Sequence, residues 1–166
     1  MIRAIVRCAA LSLFLTFPLA AQTGIWTAVG STGAIDDASL GIYSVGTNNL
    51  FHAAGATGTI VSRFNVTNTF GGGLTDAPPW TTLELTYFDN NAAGSVTATL
   101  FRANRCSSSI TTLCSVTSID ATSPNCLRCT FPAGSVNFGA ADYVVEVRVS
   151  RSATTTTPQL FGLQIF

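Results

Sequence analysis

This 166-residue sequence predicts an all-β fold, a single antiparallel β-sandwich of jelly-roll type that contains disulfides. Three observations lead there. Apolar and polar residues alternate with period two in several short runs, separated by turns rich in Gly, Pro and Asn. Past residue 21, no stretch of ten or more residues carries the 3.6-residue periodicity of an amphipathic helix. Four cysteines follow an N-terminal segment with the marks of an export signal, and export delivers thiols to an oxidising compartment.

That N-terminal segment, MIRAIVRCAALSLFLTFPLAAQT, sets Arg3 and Arg7 ahead of an apolar run from Cys8 to Leu19, followed by small residues. The order predicts a secretory signal peptide over residues 1–21, cleaved after Ala21. The apolar run is about a dozen residues, short of the roughly 20 needed to cross a bilayer, so no membrane span is expected. Cys8 opens the run instead of lying at the cleavage site, which argues against a lipid-modified cysteine. The mature chain of about 145 residues suits one domain, secreted to the exterior or the cell surface.

Composition narrows the partners. The sequence has no lysine, and past the signal six arginines face eight acids. Nucleic-acid binding depends on clustered basic charge, and none is present. Charged residues make up 10% of the chain, well below the usual quarter, so solubility rests on Thr, Ser, Asn and Gly. Such a composition is common in extracellular β proteins and also suits a chain that assembles.

Residues 22–49 are rich in Gly, Thr and Ser and contain only short apolar pieces, GIW and LGIYSV. They read as an N-terminal segment able to add as a strand to a neighbouring copy, with residues 50–166 forming the sandwich. Within the latter, GTIVSRFNVTN sets Ile60, Phe64 and Val66 on one face with Ser62 between them. In TTLELTYFDNNAAGSVTATLFR, Leu83, Leu85 and Tyr87 alternate with Glu84, Thr86 and Phe88, and Val96, Ala98 and Leu100 alternate with Thr97, Thr99 and Phe101. Two such runs flanking an Asn/Gly turn predict a β-hairpin. ANRCSSSITTLCSVTSI predicts a second hairpin with Cys106 and Cys114 bracketing its tip. DYVVEVRVS gives the clearest strand, with Tyr143, Val145, Val147 and Val149 on one face. The closing run PQLFGLQIF is expected to turn Phe161, Leu163 and Ile165 inward, with Pro158 confined to its start.

The cysteines Cys106, Cys114, Cys126 and Cys129 read first as disulfides. Four thiolates could also hold zinc, but the first pair is spaced C-x7-C and exported chains seldom rely on such sites. A redox role for Cys126-x-x-Cys129 would need a helix N-terminus after a strand, and the flanks SPN and TFPAG are loop-like. A covalent haem motif fails because Thr130 stands where His is required. Spacing leaves three pairings open; the hairpin geometry favours Cys106 with Cys114 and Cys126 with Cys129.

Taken together, LELTYFDNNAAGSVTATLFR, DYVVEVRVSR and QLFGLQIF resemble a broad group of secreted bacterial β-sandwich proteins of unassigned function, over about residues 50–166. The group shares a YYYDN-type strand and turn, an L-x-R strand and a terminal strand of the LYGVRI type. The resemblance implies bacterial origin and a sandwich, and it carries no catalytic residues.

Chemistry-bearing groups are few. His52 is the sole histidine, and no G-x-S-x-G elbow accompanies it, so no catalytic residues and no cofactor are expected. Paired carboxylates among Asp36, Asp37, Asp76, Glu84, Asp89, Asp120, Asp142 and Glu146 could serve a glycosidase, but most of these fall in turns or at solvent-facing strand positions. Glu84, Arg102, Glu146 and Arg148 are expected to form cross-strand charge pairs on a polar face. Asp89, Asn90 and Asn91 supply the oxygen chemistry of a calcium site but too few ligands, and the plainer reading is a turn. Asn65 begins an Asn-Val-Thr sequon, a weak signal in a bacterial chain.

Trp26 and Trp80 are candidates for a sugar-stacking platform, to which Phe88 and Phe101 could contribute; where two sheets cover each other imperfectly, the same residues form a second core layer, and that is the plainer reading. Two non-enzymatic readings follow. The first is a structural surface protein that self-associates into filaments or a surface layer by strand addition, since sheet edges without lysine recruit other chains. The alternative is a carbohydrate-binding or adhesion module whose partner is a glycan. A small hydrolase is disfavoured by the residue inventory.

Overall fold

A computed structural model describes residues 24–73 and 76–166; the expected signal, residues 1–21, lies outside them. Eleven strands form among the described residues: β1 (Trp26–Val29), β2 (Ala34–Ile35), β3 (Tyr43–Val45), β4 (Leu50–His52), β5 (Gly58–Val66), β6 (Thr82–Phe88), β7 (Gly94–Asn104), β8 (Ile110–Thr117), β9 (Asn125–Thr130), β10 (Ala141–Arg151) and β11 (Gln159–Ile165). They build two antiparallel sheets, as the alternation predicts. The front sheet runs β3-β4-β11-β6-β9, with β1 also paired to β11; the back sheet runs β2-β5-β10-β7-β8.

The core lies between the sheets. Leu83, Leu85 and Tyr87 enter it from β6, Val96, Ala98 and Leu100 from β7, and Tyr143, Val145, Val147 and Val149 from β10, all on the faces the sequence assigns. Burying these side chains is the main favourable term, at about 25 cal/mol per Å² of apolar surface. Ser62 interrupts the apolar face of β5 and is fully buried there, as expected from its position between Ile60 and Phe64.

Two strand expectations need correction. β6 and β7 do not form a hairpin: β6 pairs with β11 and β9 in the front sheet, β7 with β10 and β8 in the back sheet. Residues 89–93 carry the chain from one sheet to the other. The same alternation serves both arrangements, because each strand buries one face either way; a five-residue link does not impose the pairing that a two-residue turn does. On β11 the register shifts between Leu160 and Gly162, so Leu160 faces inward with Leu163 and Ile165 and Phe161 is half-buried. A β-bulge inserts one unpaired residue and resets the alternation behind it.

The N-terminal segment does not stand free. β1 pairs with β11 from Trp26 opposite Ile165 to Val29 opposite Gly162. β2 pairs with β5, and β3 with β4. The strand-addition expectation required a segment without partners in its own domain, and residues 26–45 contribute three strands to it.

The disulfide pairing also differs. Cys114 of β8 bonds Cys129 of β9, while Cys106 and Cys126 are free and exposed. Cys126 and Cys129 are three apart on one strand, which points them to opposite faces, so they cannot bridge. Cys106 sits in the β7–β8 turn, whereas Cys114 lies well along β8 opposite Leu100. β8 and β9 are edge strands of different sheets on the same side of the sandwich, so the bond joins the two sheets there.

Candidate functional site

The two outer faces of the sandwich differ in chemistry. On the back sheet, Arg63 bridges Asp36 at 2.7 Å and Glu146 at 3.0 Å, and Arg148 meets the other oxygen of Glu146 at 2.9 Å. The Arg63 guanidinium beside Asp36 holds that carboxyl below its ordinary range. Hydroxyls pair across the strands, Thr97 with Thr117 at 3.0 Å and Thr99 with Ser115 at 2.9 Å. This face largely satisfies itself. Glu146 finds its cross-strand partner in Arg63 of β5, whereas Arg148 meets it along β10 itself, and Arg102 stands opposite Tyr143.

The front sheet presents a different set. Its ladder aligns Ser44, Phe51, Gln159 and Phe88 in one row across β3, β4, β11 and β6. These positions alternate with the buried Leu50, Leu160 and Tyr87, so they lie on the outward side. Phe51 and Phe88 are half-buried and flank the Gln159 carboxamide. Asn49, from the β3–β4 turn, donates its Nδ2 to Gln159 Oε1 at 2.7 Å. That bond uses an acceptor of Gln159 and leaves its amide NH2 as a donor. The bulge places Phe161 and Gly162 together opposite Thr86. A further row aligns Thr27, Gln164, Glu84 and Arg128, where Arg128 Nε bonds Glu84 Oε2 at 2.6 Å. The same guanidinium lies 5.4 Å from the centre of the Phe166 ring.

The tryptophans take no part in this surface. Trp26 is 4% and Trp80 2% exposed, so neither offers a ring to a ligand. Trp80 donates its indole N–H to the Gly24 carbonyl at 3.0 Å and meets Phe138 edge-on at 6.0 Å. Satisfying the indole nitrogen removes the cost of burying it, and the large ring then serves the core. Of the phenylalanines proposed to join them, Phe88 and Phe101 lie on opposite sheets, since β6 and β7 do. Nothing local in the sequence marks Phe51 and Gln159; only the ladder places them beside Phe88.

The remaining candidates serve the chain. Asn91 Oδ1 accepts from the Ala93 amide, Asn90 Oδ1 accepts from the Thr156 hydroxyl and the Thr157 amide, and Asp89 Oδ2 accepts from the Ser118 hydroxyl at 2.6 Å. The oxygens weighed for calcium therefore fasten the sheet-to-sheet link, and the described residues contain no cluster of three or more His, Cys, Asp or Glu fit to hold a metal. His52 is buried on β4, with Nε2 at 3.1 Å from the Gly58 carbonyl and Nδ1 without a partner. It meets a carbonyl and not a hydroxyl, which does not make a nucleophile–base pair. Desolvation holds its pKa below the ordinary imidazole value, an effect the nearby Arg151 charge adds to.

The sandwich is similar to that of a solved protein. A xylan-binding module, CBM15, superposes with a TM-score of 0.52 at 14% identity, covering 86% of this chain and 95% of that one. TmCBM61 in complex with β-1,4-galactotriose gives a TM-score of 0.45 at 6% identity, covering 86% and 87% of the two chains. A carbohydrate-binding module of the β-sandwich superfamily gives 0.42 at 11% identity, over 87% of this chain and 55% of its own. No protein-family model and no curated protein matches the sequence. The likeness to CBM15 concerns the fold.

Proposed function

We propose that this protein is a secreted, non-catalytic carbohydrate-binding module that takes glycan on the outer face of its front sheet. The observation that carries the reading is the row Phe51, Gln159, Phe88, in which two phenyl rings flank an amide fixed by Asn49. Sugars present apolar C–H faces that stack on aromatic rings and a rim of hydroxyls that pair with amides, and this row supplies both. The xylan-binding function named for a protein of the same fold supports the reading. So does the disulfide, which suits an oxidising exterior. The self-assembly reading loses one of its supports, because the segment that would have been exchanged is paired within its own domain.

Affinity electrophoresis of the oxidised mature chain through gels containing soluble xylan, glucomannan, galactan or polygalacturonate tests this. Retardation in at least one gel is expected, and Phe88→Ala should weaken it by about tenfold, the order of one lost aromatic contact. Unretarded migration in every gel would overturn the reading.

A further inference from the structure

We propose that the ligand of this face is a neutral, extended polysaccharide that crosses the strands along Phe51, Gln159 and Phe88, with the Gln159 carboxamide as its central hydrogen-bond donor. The inference rests on the glycan-binding reading and adds the charge class of the ligand and the line it follows.

The line comes from the ladder. Neighbouring strands lie about 4.8 Å apart, so Phe51 on β4 and Phe88 on β6, with β11 between them, are separated by about 9.6 Å. That interval matches two repeats of an extended pyranose chain, so alternate sugars meet the two phenyl rings and the sugar between them meets the amide. Following β6 instead, the outward residues after Phe88 are Thr86, Glu84 and Thr82, and no second ring appears. Stacking surfaces thus recur across the strands and not along one of them. Phe161, the residue inserted by the bulge, adds apolar surface on the same central strand.

The donor comes from the fixed amide. With Oε1 engaged by Asn49, the Gln159 NH2 faces a ligand with hydrogens to give, which suits hydroxyl and ring oxygens. Asn49 is itself seated against Gly46, where a Cβ would collide with its Oδ1. Fixing the amide before binding lowers the entropy lost when the ligand arrives.

The charge class comes from the ion pair. Among the described residues in these cross-strand rows, the ionised groups are Glu84 and Arg128, bonded to each other. The pair is neutral as a unit and lies four residues along β6 from the Phe88 row, about 13 Å away. Recognition of a uronate would need an uncompensated cation, and phenyl, amide and hydroxyl groups make up the rest of the row.

Calorimetric titration of the oxidised mature chain with xylohexaose, cellohexaose, mannohexaose and hexagalacturonate, each at low and high salt, tests the proposal. At least one neutral hexasaccharide should bind with a salt-independent affinity, and its disaccharide should bind at least about tenfold more weakly, because it cannot reach both rings. Gln159→Glu keeps an oxygen for Asn49 and removes the donor; it should weaken neutral binding about fivefold at an unchanged melting temperature. Phe88→Ala should do so by a different loss. Binding confined to hexagalacturonate, or an affinity that falls with salt, would overturn the neutral assignment while leaving glycan binding in place. Neutral binding indifferent to both substitutions would overturn the line of contact. Failure of every oligosaccharide, with every gel also negative, would overturn both readings.

Discussion

Cys114 and Cys129 lie 5.9 Å apart at their Cα atoms and tie the edge strand of one sheet to the edge strand of the other. Closing this 15-residue separation removes freedom from the unfolded chain, worth about 3 kcal/mol in the chain-entropy account. Cys114→Ser should therefore lower the unfolding free energy by roughly that amount in urea titration of the mature protein. Peptide mapping without reduction should recover the Cys114–Cys129 peptide and unlinked Cys106 and Cys126; a Cys106–Cys114 peptide would contradict the pairing.

Gly94, the first residue of β7, closes over the buried end of the sheet-to-sheet link. A Cβ there would stand 2.8 Å from the Thr156 hydroxyl, 2.9 Å from Asp89 Oδ1 and 3.2 Å from Pro158 Cδ. Asp89 is 1% exposed, and Thr156 and Pro158 are buried too, so little can move aside. Gly94→Ala is expected to destabilise by about 1–3 kcal/mol, the usual range for overpacking, read as a lower midpoint in chemical denaturation.

His52 is the sole histidine, and its burial is expected to make the stability depend on pH near neutrality. Burial lowers its pKa in the folded protein below the unfolded value, so the unfolded chain takes up the proton first. Its contribution is therefore intact above the unfolded value, about pH 6.5, and is lost as the pH falls from there through the folded pKa. Protonation would place a cation near Arg151, with Tyr43 as its cross-strand neighbour on β3. The melting temperature should fall between pH 7.5 and pH 5, and His52→Gln should flatten that slope. An equal slope in both proteins would assign the dependence to carboxylates.

Gly46 lies in the β3–β4 turn beneath Asn49, and the methyl of Gly46→Ala would displace the carboxamide that orients Gln159. The expected result is a several-fold loss of affinity for the neutral hexasaccharide bound best, with a melting temperature close to the parent's. A variant that binds as the parent does would show that the Asn49–Gln159 bond is dispensable.

Much of this could be read from the sequence. The alternation of Leu83, Leu85 and Tyr87, of Val96, Ala98 and Leu100, and of Tyr143 through Val149 defined the buried face of each strand, because side-chain direction along a strand is local and has period two. The thin inventory of nucleophiles and bases is a property of composition and needs no fold. Trp26 and Trp80 were misplaced because aromatic character alone does not distinguish a core ring from a ligand platform. Phe161 was misplaced because a bulge moves one residue out of step without leaving a mark that alternation can show.

What the sequence determined by itself is the class of the fold, the inward side of most strands and the scarcity of chemistry. Tertiary structure alone decided which strands are neighbours. β6 would bury the same side chains beside β7 or across the core from it, and that choice puts Phe88 in a row with Gln159 and Phe51. It also brings Cys114 to Cys129 across the joined edge of the sandwich. Alternation is satisfied residue by residue, whereas strand partnership depends on closing one core among segments far apart in the chain, and the candidate site exists only once that core has closed.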